Sequence, residues 1–469
     1  MPVSPAERAY DPQYDPLVAP HPGKGTDYAP TYWVASAGEP PEDDGPVVGD
    51  VDADVVIVGS GFTGLATALF LAREHGIRAT VLEANRVAWG CTSRNGGQGQ
   101  NASGRLYRSQ WIARWGKAVA LRLDAEIRAG FETFRSLVAE FPECEPQDGG
   151  HLYIAHREKK MPFLREEARV MREVFGYDAR ILSADEVRRG FVDDAEAFGA
   201  LHEPDGIGVH PLKLAFGYQR RARELGAKVH PASPVLDIET RNGVHHLRTP
   251  GGTVRARAIG LATGGYTGNR LHPSLDAKIM PVLSNSLVTR PLDAEQLRAT
   301  NFLTTEVITD TRTLRFYYRR LPDNRVQIGS RSSITGADAP NPRHMKVLVD
   351  GLHRKFPALR GIEIEHSWWG WVDVSHDMMP RIVQPDPARQ VFHALGYGGN
   401  GVAFSAHAGR RMAQLIAGRR DPCFDLPIYD SPLQYPNVAN RVRSRAFAPF
   451  RRIGQRGLYK WYWLRDERL

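Results

Sequence analysis

Apolar residues recur along this chain in several distinct rhythms. The run from Asp54 to Val58 is almost continuously apolar, the pattern of a strand buried on both faces. It breaks at Gly59, Gly61 and Gly64, after which Leu65 to Glu74 take helical spacing. A second apolar strand, Ala79 to Leu82, ends on Glu83. Helical spacing returns over Ser109 to Phe141, with Trp111, Trp115, Val119, Ile127, Phe131 and Phe134 among its apolar positions, and over Met161 to Phe175. Between Met280 and Ser333 the rhythm becomes alternating, and Leu321-Pro-Asp-Asn separates Phe316-Tyr-Tyr from Val326-Gln-Ile-Gly, which predicts an antiparallel sheet. Two later stretches repeat the strand-then-glycine pattern. Ala256 to Tyr266 is the first, and Val391 to Val402 the second, running on into a helix through Ala417 that Gly418 closes.

The first of these patterns predicts a dinucleotide site. Gly59 serves a tight turn, Gly61 the approach of backbone to phosphate, and Gly64 the packing of helix on strand. Free N–H groups at the helix start meet the phosphate charge. Glu83 follows Gly59 by 24 residues, close to the spacing of an acid that binds a ribose hydroxyl. An early phosphate loop together with a late glycine-rich helix start holds both ends of a long cofactor, which points to FAD. A nicotinamide dehydrogenase is the rival, since Glu83 suits NAD as well, but the late helix start and the insertions argue against it.

The predicted fold class is α/β (α+β), an FAD-binding Rossmann-like domain of glutathione-reductase type with an inserted substrate domain of antiparallel sheet plus helices. Residues 1–50, rich in proline and glycine, read as an extended arm. Residues 51–105, 203–270 and 366–424 form the FAD-binding domain, 106–202 and 271–365 the substrate-binding domain, and 425–469 a basic aromatic tail.

Composition narrows the class. At 469 residues two joined domains are expected, and 42% hydrophobic with 24% charged residues is the balance of a soluble protein. Three cysteines, Cys91, Cys144 and Cys423, fit neither a disulfide framework nor zinc, and Met1 to Asp50 lacks the apolar core of a signal peptide, so a cytoplasmic location is expected. The formal charge of +8 comes from scattered arginines, which argues against nucleic acid as a partner. In the tail, Arg441, Arg443, Arg445, Arg451, Arg452, Arg456, Lys460 and Arg465 alternate with Phe447, Phe450, Leu458, Tyr459 and Trp461 to Leu464. These aromatics are expected to pack on the body of the protein, with contact to an anionic membrane as the alternative. His151, His210 and His407 have no metal spacing and read as structural. Ser375-His-Asp377 is no hydrolytic triad, because three consecutive residues cannot face one another.

Taken together, Val58 to Leu65, Leu82 to Gly90, Thr92 to Gln98, Glu203 to Pro211, Leu261 to Tyr266 and Gly396 to Val402 resemble the D-amino-acid-oxidase-like flavoproteins, in particular the glycine oxidase, sarcosine oxidase and γ-glutamylputrescine oxidase group. The ending Tyr459 to Asp466 resembles the tail of the last branch. The resemblance implies that Gly59, Gly61, Phe62, Thr63 and Gly64 meet the diphosphate. It places Glu83, Ala84, Asn85 and Arg86 near the adenosine ribose, and Gly90, Thr92, Ser93, Arg94, Asn95, Gly96, Gly97 and Gln98 along the diphosphate and flavin. Val235 meets adenine through its backbone, and Ala262, Thr263 and Gly264 belong to the same site. A helix starting at Gly398, Gly399, Asn400, Gly401 and Val402 aims its N–H groups at the pyrimidine end of the flavin, where they favour negative charge.

The implied activity is oxidation of the C–N bond of a primary or secondary amine to an imine by hydride transfer, then hydrolysis to an aldehyde or ketone. The amine must be neutral, so an aromatic, desolvated pocket is expected, with Tyr317, Tyr318, Trp368, Trp369 and Trp371 as candidate walls. By the resemblance Tyr318 and Arg331 face the substrate, and Trp369 is taken with them. Gln327 stands where sarcosine oxidase has an oxygen-activating lysine, which leaves open whether molecular oxygen or another acceptor takes the electrons. Val372 replaces a carboxylate-binding arginine of glycine oxidase, which moves simple α-amino acids down the order of substrates. No cysteine lies between Gly370 and Pro380, where sarcosine oxidase anchors its flavin, so noncovalent FAD is expected. An amino-acid oxidase or dehydrogenase of glycine, sarcosine or proline type that recruits Arg331 or Arg94, and a membrane-docked electron-transfer flavoprotein, are the alternatives. The oligomeric state is left open.

Overall fold

A computed structural model describes residue 16 and residues 27–268, 271–275, 279–375, 377–430 and 448–468. Most of the first 26 positions, residues 431–447 with Arg441, Arg443, Arg445 and Phe447, and His376 lie outside the described residues.

Among the described residues, one sheet of eight strands forms the nucleotide half. Val51–Val58 lies at its centre, parallel to Ala79–Leu82 on one side and to Gly252–Leu261 on the other. Val391–Leu395 adds in parallel beside Ile259 to Leu261. The C-terminal ends of three parallel strands therefore converge, and each is followed by glycines. Ligands of open α/β sheets collect at such strand ends. The helix Phe62–His75 covers one face and packs closely against Phe404–Ile416; Gly409 permits this, because a Cβ there would stand 2.7 Å from the Thr63 carbonyl oxygen.

A second sheet, also of eight described strands, is largely antiparallel. Ile364–Ser375 pairs along Ile279–Thr289, which pairs in turn with Val326–Ser330 and Tyr317–Arg320; the one parallel pairing joins Val307–Asp310 to His151–Ile154. This corrects the domain boundary expected at 366. Residues 364–375 are an edge strand of the second sheet, fixed by backbone pairing to Ile279–Thr289, and the chain returns to the nucleotide half only afterwards. The long helix Arg108–Glu140 likewise sends Ile127, Phe131 and Phe134 into the same core as Leu65 and Phe404, so part of the expected insertion packs on the nucleotide half.

The described part of the N-terminal arm is packed rather than draped. Trp33, 1% exposed, donates its indole N–H to the Asn95 carbonyl at 2.7 Å, and the Tyr28 hydroxyl donates to the Val87 carbonyl at 2.6 Å. The arm thus backs the 87–95 loop. At the other end of the chain, the helix Ala448–Glu467 docks through Asp466, which accepts the Thr313 N–H at 2.6 Å, and through Arg452, stacked 5.1 Å over the Trp371 ring. Its Trp461 and Trp463 remain about half exposed, at 51% and 49%. No described helix is long and apolar enough to cross a membrane.

Candidate active site

One deep cavity runs between the two sheets. Its first arm is built by the strand ends. Gly59 has φ +101°, which suits glycine, and a Cβ at Gly64 would stand 1.8 Å from the Gly59 carbonyl oxygen, so no larger residue lets the helix start this close to the strand. Glu83 is buried at the end of the second strand, where its carboxylate accepts the Ser60 N–H at 3.0 Å, the Ser60 hydroxyl at 2.6 Å and the Asn85 N–H at 3.1 Å. Burial pushes its carboxyl above the usual range, and these hydrogen bonds oppose the shift.

Most of the expected cofactor residues line this cavity. Gly59, Gly61, Phe62, Thr63, Glu83, Ala84, Gly90, Thr92, Arg94, Asn95, Gly96 and Gln98 do, and so do Val235, Ala262, Thr263, Gly264, Gly399, Asn400, Gly401 and Val402. The others stand behind the lining. Gly64 and Gly97 pack against backbone, the Ser93 hydroxyl donates to the Trp89 carbonyl at 2.9 Å, and Asn85 is buried with its carbonyl accepting the Ala232 N–H. Gly398 accepts a bond from Arg331 through its carbonyl. Arg86 is corrected outward, since its guanidinium is 59% exposed and pairs with Asp27 at 3.1 Å. The late helix begins at Phe404 with Ala403 at its cap, a little beyond the expected start, and Gly399 to Val402 form the turn in front of it.

The shape fits FAD. Glycines at 59, 61, 90, 96, 264, 399 and 401 leave the wall without side chains along a path from Val235 and Glu83 to the 399–402 turn. Thr63 of the phosphate-loop helix and Tyr397, before the late turn, meet through their hydroxyls, 2.8 Å apart. Glu83 lines this path beside Val235, and the turn in front of the Phe404–Ile416 helix lines its far end.

The second arm belongs to the antiparallel sheet, and here the expected walls change. Tyr318 is completely buried, with its hydroxyl donating to the Asp194 carboxylate among Phe302 and Phe356, and it does not reach the cavity. Tyr317, its neighbour, does. Successive strand residues point to opposite faces, so only one of the pair can enter the site. Tyr317 is held by Ser284 and Ser286, whose hydroxyl oxygens lie 3.0 and 2.9 Å from its own. Trp369 is corrected in the same way. Gly370 and Val372 line the cavity from their strand, while Trp369 packs beside Trp371, Trp89 and Tyr266. Trp368 is buried and donates its indole N–H to the Arg94 carbonyl at 2.7 Å. Gln327 is fully buried behind Gly96, and neither atom of its amide has a partner among the described residues.

Arg331 lines the cavity, and its guanidinium donates to the Gly398 carbonyl at 2.9 Å. It has company that sequence patterns did not reveal, for Arg105 and Arg315 line the same arm, with Thr309 and Thr313. The three arginines come from separate loops and share no motif, and Thr309 comes from the Val307–Asp310 strand. Burial and the charges of Arg315 and Arg331 hold the Arg105 guanidinium well below its usual range. The histidines are occupied elsewhere. His151 bonds Glu203 at 2.7 Å and Thr309 at 2.8 Å, His210 accepts the Lys213 N–H at 3.2 Å, and His407 bonds Glu126 at 2.7 Å. No group of three metal-binding side chains occurs among the described residues.

Comparison with known proteins agrees with this geometry. The family profile described as "DAO: FAD dependent oxidoreductase" matches residues 54–415. The γ-glutamylputrescine oxidoreductase of Escherichia coli (strain K12) is 31% identical over 416 residues, covering 87% of this chain and 94% of that protein. Glycine oxidase from Geobacillus kaustophilus superposes with a TM-score of 0.69 at 21% identity, over 82% of this chain and 100% of the other. L-Proline dehydrogenase from P. horikoshii superposes with a TM-score of 0.66 at 18% identity, over 81% and 96% of the two chains.

Proposed function

The chain belongs to the DAO family of FAD-dependent oxidoreductases, enzymes that act on CH–NH donors, and from that premise we propose that it oxidises the C–N bond of a primary or secondary amine. The observation that carries this reading is a single cavity in which a glycine-walled cofactor arm opens directly into an arm lined by Tyr317 and Arg331. The substrate's carbon beside nitrogen loses hydride and becomes an iminium, which water hydrolyses to an aldehyde or ketone. FAD held in the glycine-walled arm would supply the hydride acceptor, with molecular oxygen or another acceptor taking the electrons.

The residues of the chain prepare the amine. An ammonium has no lone pair to assist hydride departure, so the neutral amine is the reactive form. Desolvation disfavours the ammonium, and so does the positive field of Arg105, Arg315 and Arg331. The Tyr317 ring, fixed by two serine hydroxyls, gives the substrate a flat wall and helps exclude water. In the cofactor arm, Arg94 lies 4.3 Å over the Trp89 ring and donates to the Trp89 carbonyl at 3.2 Å, which stiffens the loop that carries Gly90 to Asn95.

The name of the E. coli relative directs attention to polyamine-derived donors. The test is an anaerobic titration of the purified flavoprotein with putrescine, γ-glutamylputrescine, sarcosine, glycine and N-methylated amines, following loss of the flavin band. Bleaching by at least one of these donors is expected, and a band that survives all of them overturns the reading. A peroxide assay on the active donor then tells oxygen from another acceptor.

A further inference from the structure

We propose that the terminal helix, Ala448–Glu467, is a peripheral docking surface for an anionic lipid bilayer, which it meets through an outward apolar stripe flanked by cations. A helix on a protein surface normally turns its apolar side chains inward and its polar ones outward. This helix inverts the pattern. Arg452, Gln455, Tyr459, Tyr462 and Asp466 recur at steps of three and four residues and turn toward the body. All five are polar or carry a hydroxyl, and the stripe is held by hydrogen bonds. Arg452 donates to the Pro281 carbonyl at 3.3 Å and to the Gln455 side chain at 2.9 Å, Gln455 donates to the Tyr459 hydroxyl at 3.1 Å, and Asp466 accepts the Thr313 N–H.

On the opposite side Ile453, Gly457, Trp461 and Leu464 follow one another by four, four and three residues, which sets them in a single row. Ile453 is 59% exposed and Trp461 about half, Leu464 is half-buried, and Leu458 and Trp463 are exposed as well. Nothing in the hydrogen bonding of the inner stripe needs these apolar residues, so their place on the outer side calls for an apolar occupant there.

Charge selects the occupant. Arg456, Lys460 and Arg468 are exposed, and among the described residues none of them forms an ion pair with a carboxylate. Arg468 lies 5.7 Å over the Trp463 ring. The two acids of the helix are spent elsewhere, since Asp466 is buried and Glu467 pairs with Arg312 at 2.5 Å. The outward side therefore presents apolar residues and cations without an acid, the combination that an anionic bilayer interface binds, with tryptophan at the headgroup level. A second copy meeting this face with its own would bring the same cations together without a counter-charge. No described helix can cross a membrane, so the contact is peripheral.

The test uses the full FAD-loaded chain and vesicles of phosphatidylcholine alone or mixed with phosphatidylglycerol, with bound protein read by flotation. Binding to the mixed vesicles and not to the neutral ones is expected, with release in about 0.5 M salt, where screening acts within a few ångströms. Arg456→Gln together with Lys460→Gln should lower the partition coefficient roughly 25-fold, at about 5-fold for each cation. Ile453→Ser together with Trp461→Ser should lower it roughly 10-fold or more. All four positions are exposed and outside the inner stripe, so Tm and the flavin band should stay as in the unaltered protein, which separates lost docking from misfolding. Failure of the unaltered protein to bind the mixed vesicles overturns the proposal, and so does binding that neither pair of changes weakens. A dimer in light scattering that Ile453→Ser with Trp461→Ser turns into monomer, with no vesicle binding, assigns the face to a second copy and overturns it as well.

Discussion

The hydroxyl oxygens of Thr63 and Tyr397 lie 2.8 Å apart across 334 positions of sequence. Thr63 stands at the first turn of the phosphate-loop helix and Tyr397 just before the late glycine turn, and both line the cavity. Their bond ties the phosphate-loop helix to the segment that leads into the late glycine turn, two walls of the same cavity. Tyr397→Phe should therefore loosen FAD without unfolding the protein. A rise in Kd for FAD of about 2- to 10-fold is expected, read from flavin fluorescence on dilution.

Tyr317 and Tyr318 should respond differently to the same change. Tyr318→Phe removes a bond to the buried Asp194 and should cost roughly 1–3 kcal/mol of stability in urea, with kcat/KM nearly unchanged. Tyr317→Phe releases a ring that Ser284 and Ser286 hold in the cavity, and should lower kcat/KM several-fold with little effect on the urea midpoint. The reverse outcome would return the substrate wall to Tyr318.

Acid should destabilise the fold partly through His210. Burial, then Lys213 and Arg319, press its ring down to about 3, so the folded state keeps it neutral while the unfolded chain titrates near 6.5. The unfolded state binds more protons between those values. Its contribution is complete above about pH 6.5 and is lost toward pH 3, at up to roughly 1.4 kcal/mol per pH unit. His210→Asn retains an N-cap for the Pro211–Glu224 helix and should flatten this slope in urea titrations between pH 7 and 5.

Noncovalent FAD is expected from the state of Cys91. The thiol lines the cavity, but burial pushes it up to about 12, far from the thiolate that adds to other groups. Acid precipitation should leave all the yellow colour in the supernatant, and Cys91→Ser should still bind FAD. Colour retained in the pellet of the unaltered protein, and lost from that of the variant, would show a thioether.

The terminal helix should be released by one change. Asp466, 2% exposed, accepts the Thr313 N–H beside the cavity, and Asp466→Ala removes that acceptor. Faster proteolytic loss of residues 448–468 is expected in limited digestion, with a KM raised several-fold because Thr313 and Tyr459 border the Arg331 arm.

The cofactor half was legible because its physics is local. A continuous apolar strand, glycines at 59, 61 and 64, and an acid at 83 each answer a constraint set within a few residues, and the structure brings 59–63, 83–84, 262–264 and 399–402 onto one cavity. Period-2 alternation likewise announced the antiparallel sheet, whose Tyr317–Arg320 and Val326–Ser330 strands meet at the expected turn. Alternation cannot say which face is the core. Tyr317 and Tyr318 are equivalent in sequence, and only the packing of Phe302 and Phe356 on one side and the cavity on the other separates them. Trp369, the 364–375 strand and the three arginines depended on the same kind of knowledge. Residues from separate loops become neighbours only when long-range strand pairing closes the distance between them, so the phosphate loop belonged to the sequence, while the charge of the substrate arm was decided by the tertiary fold.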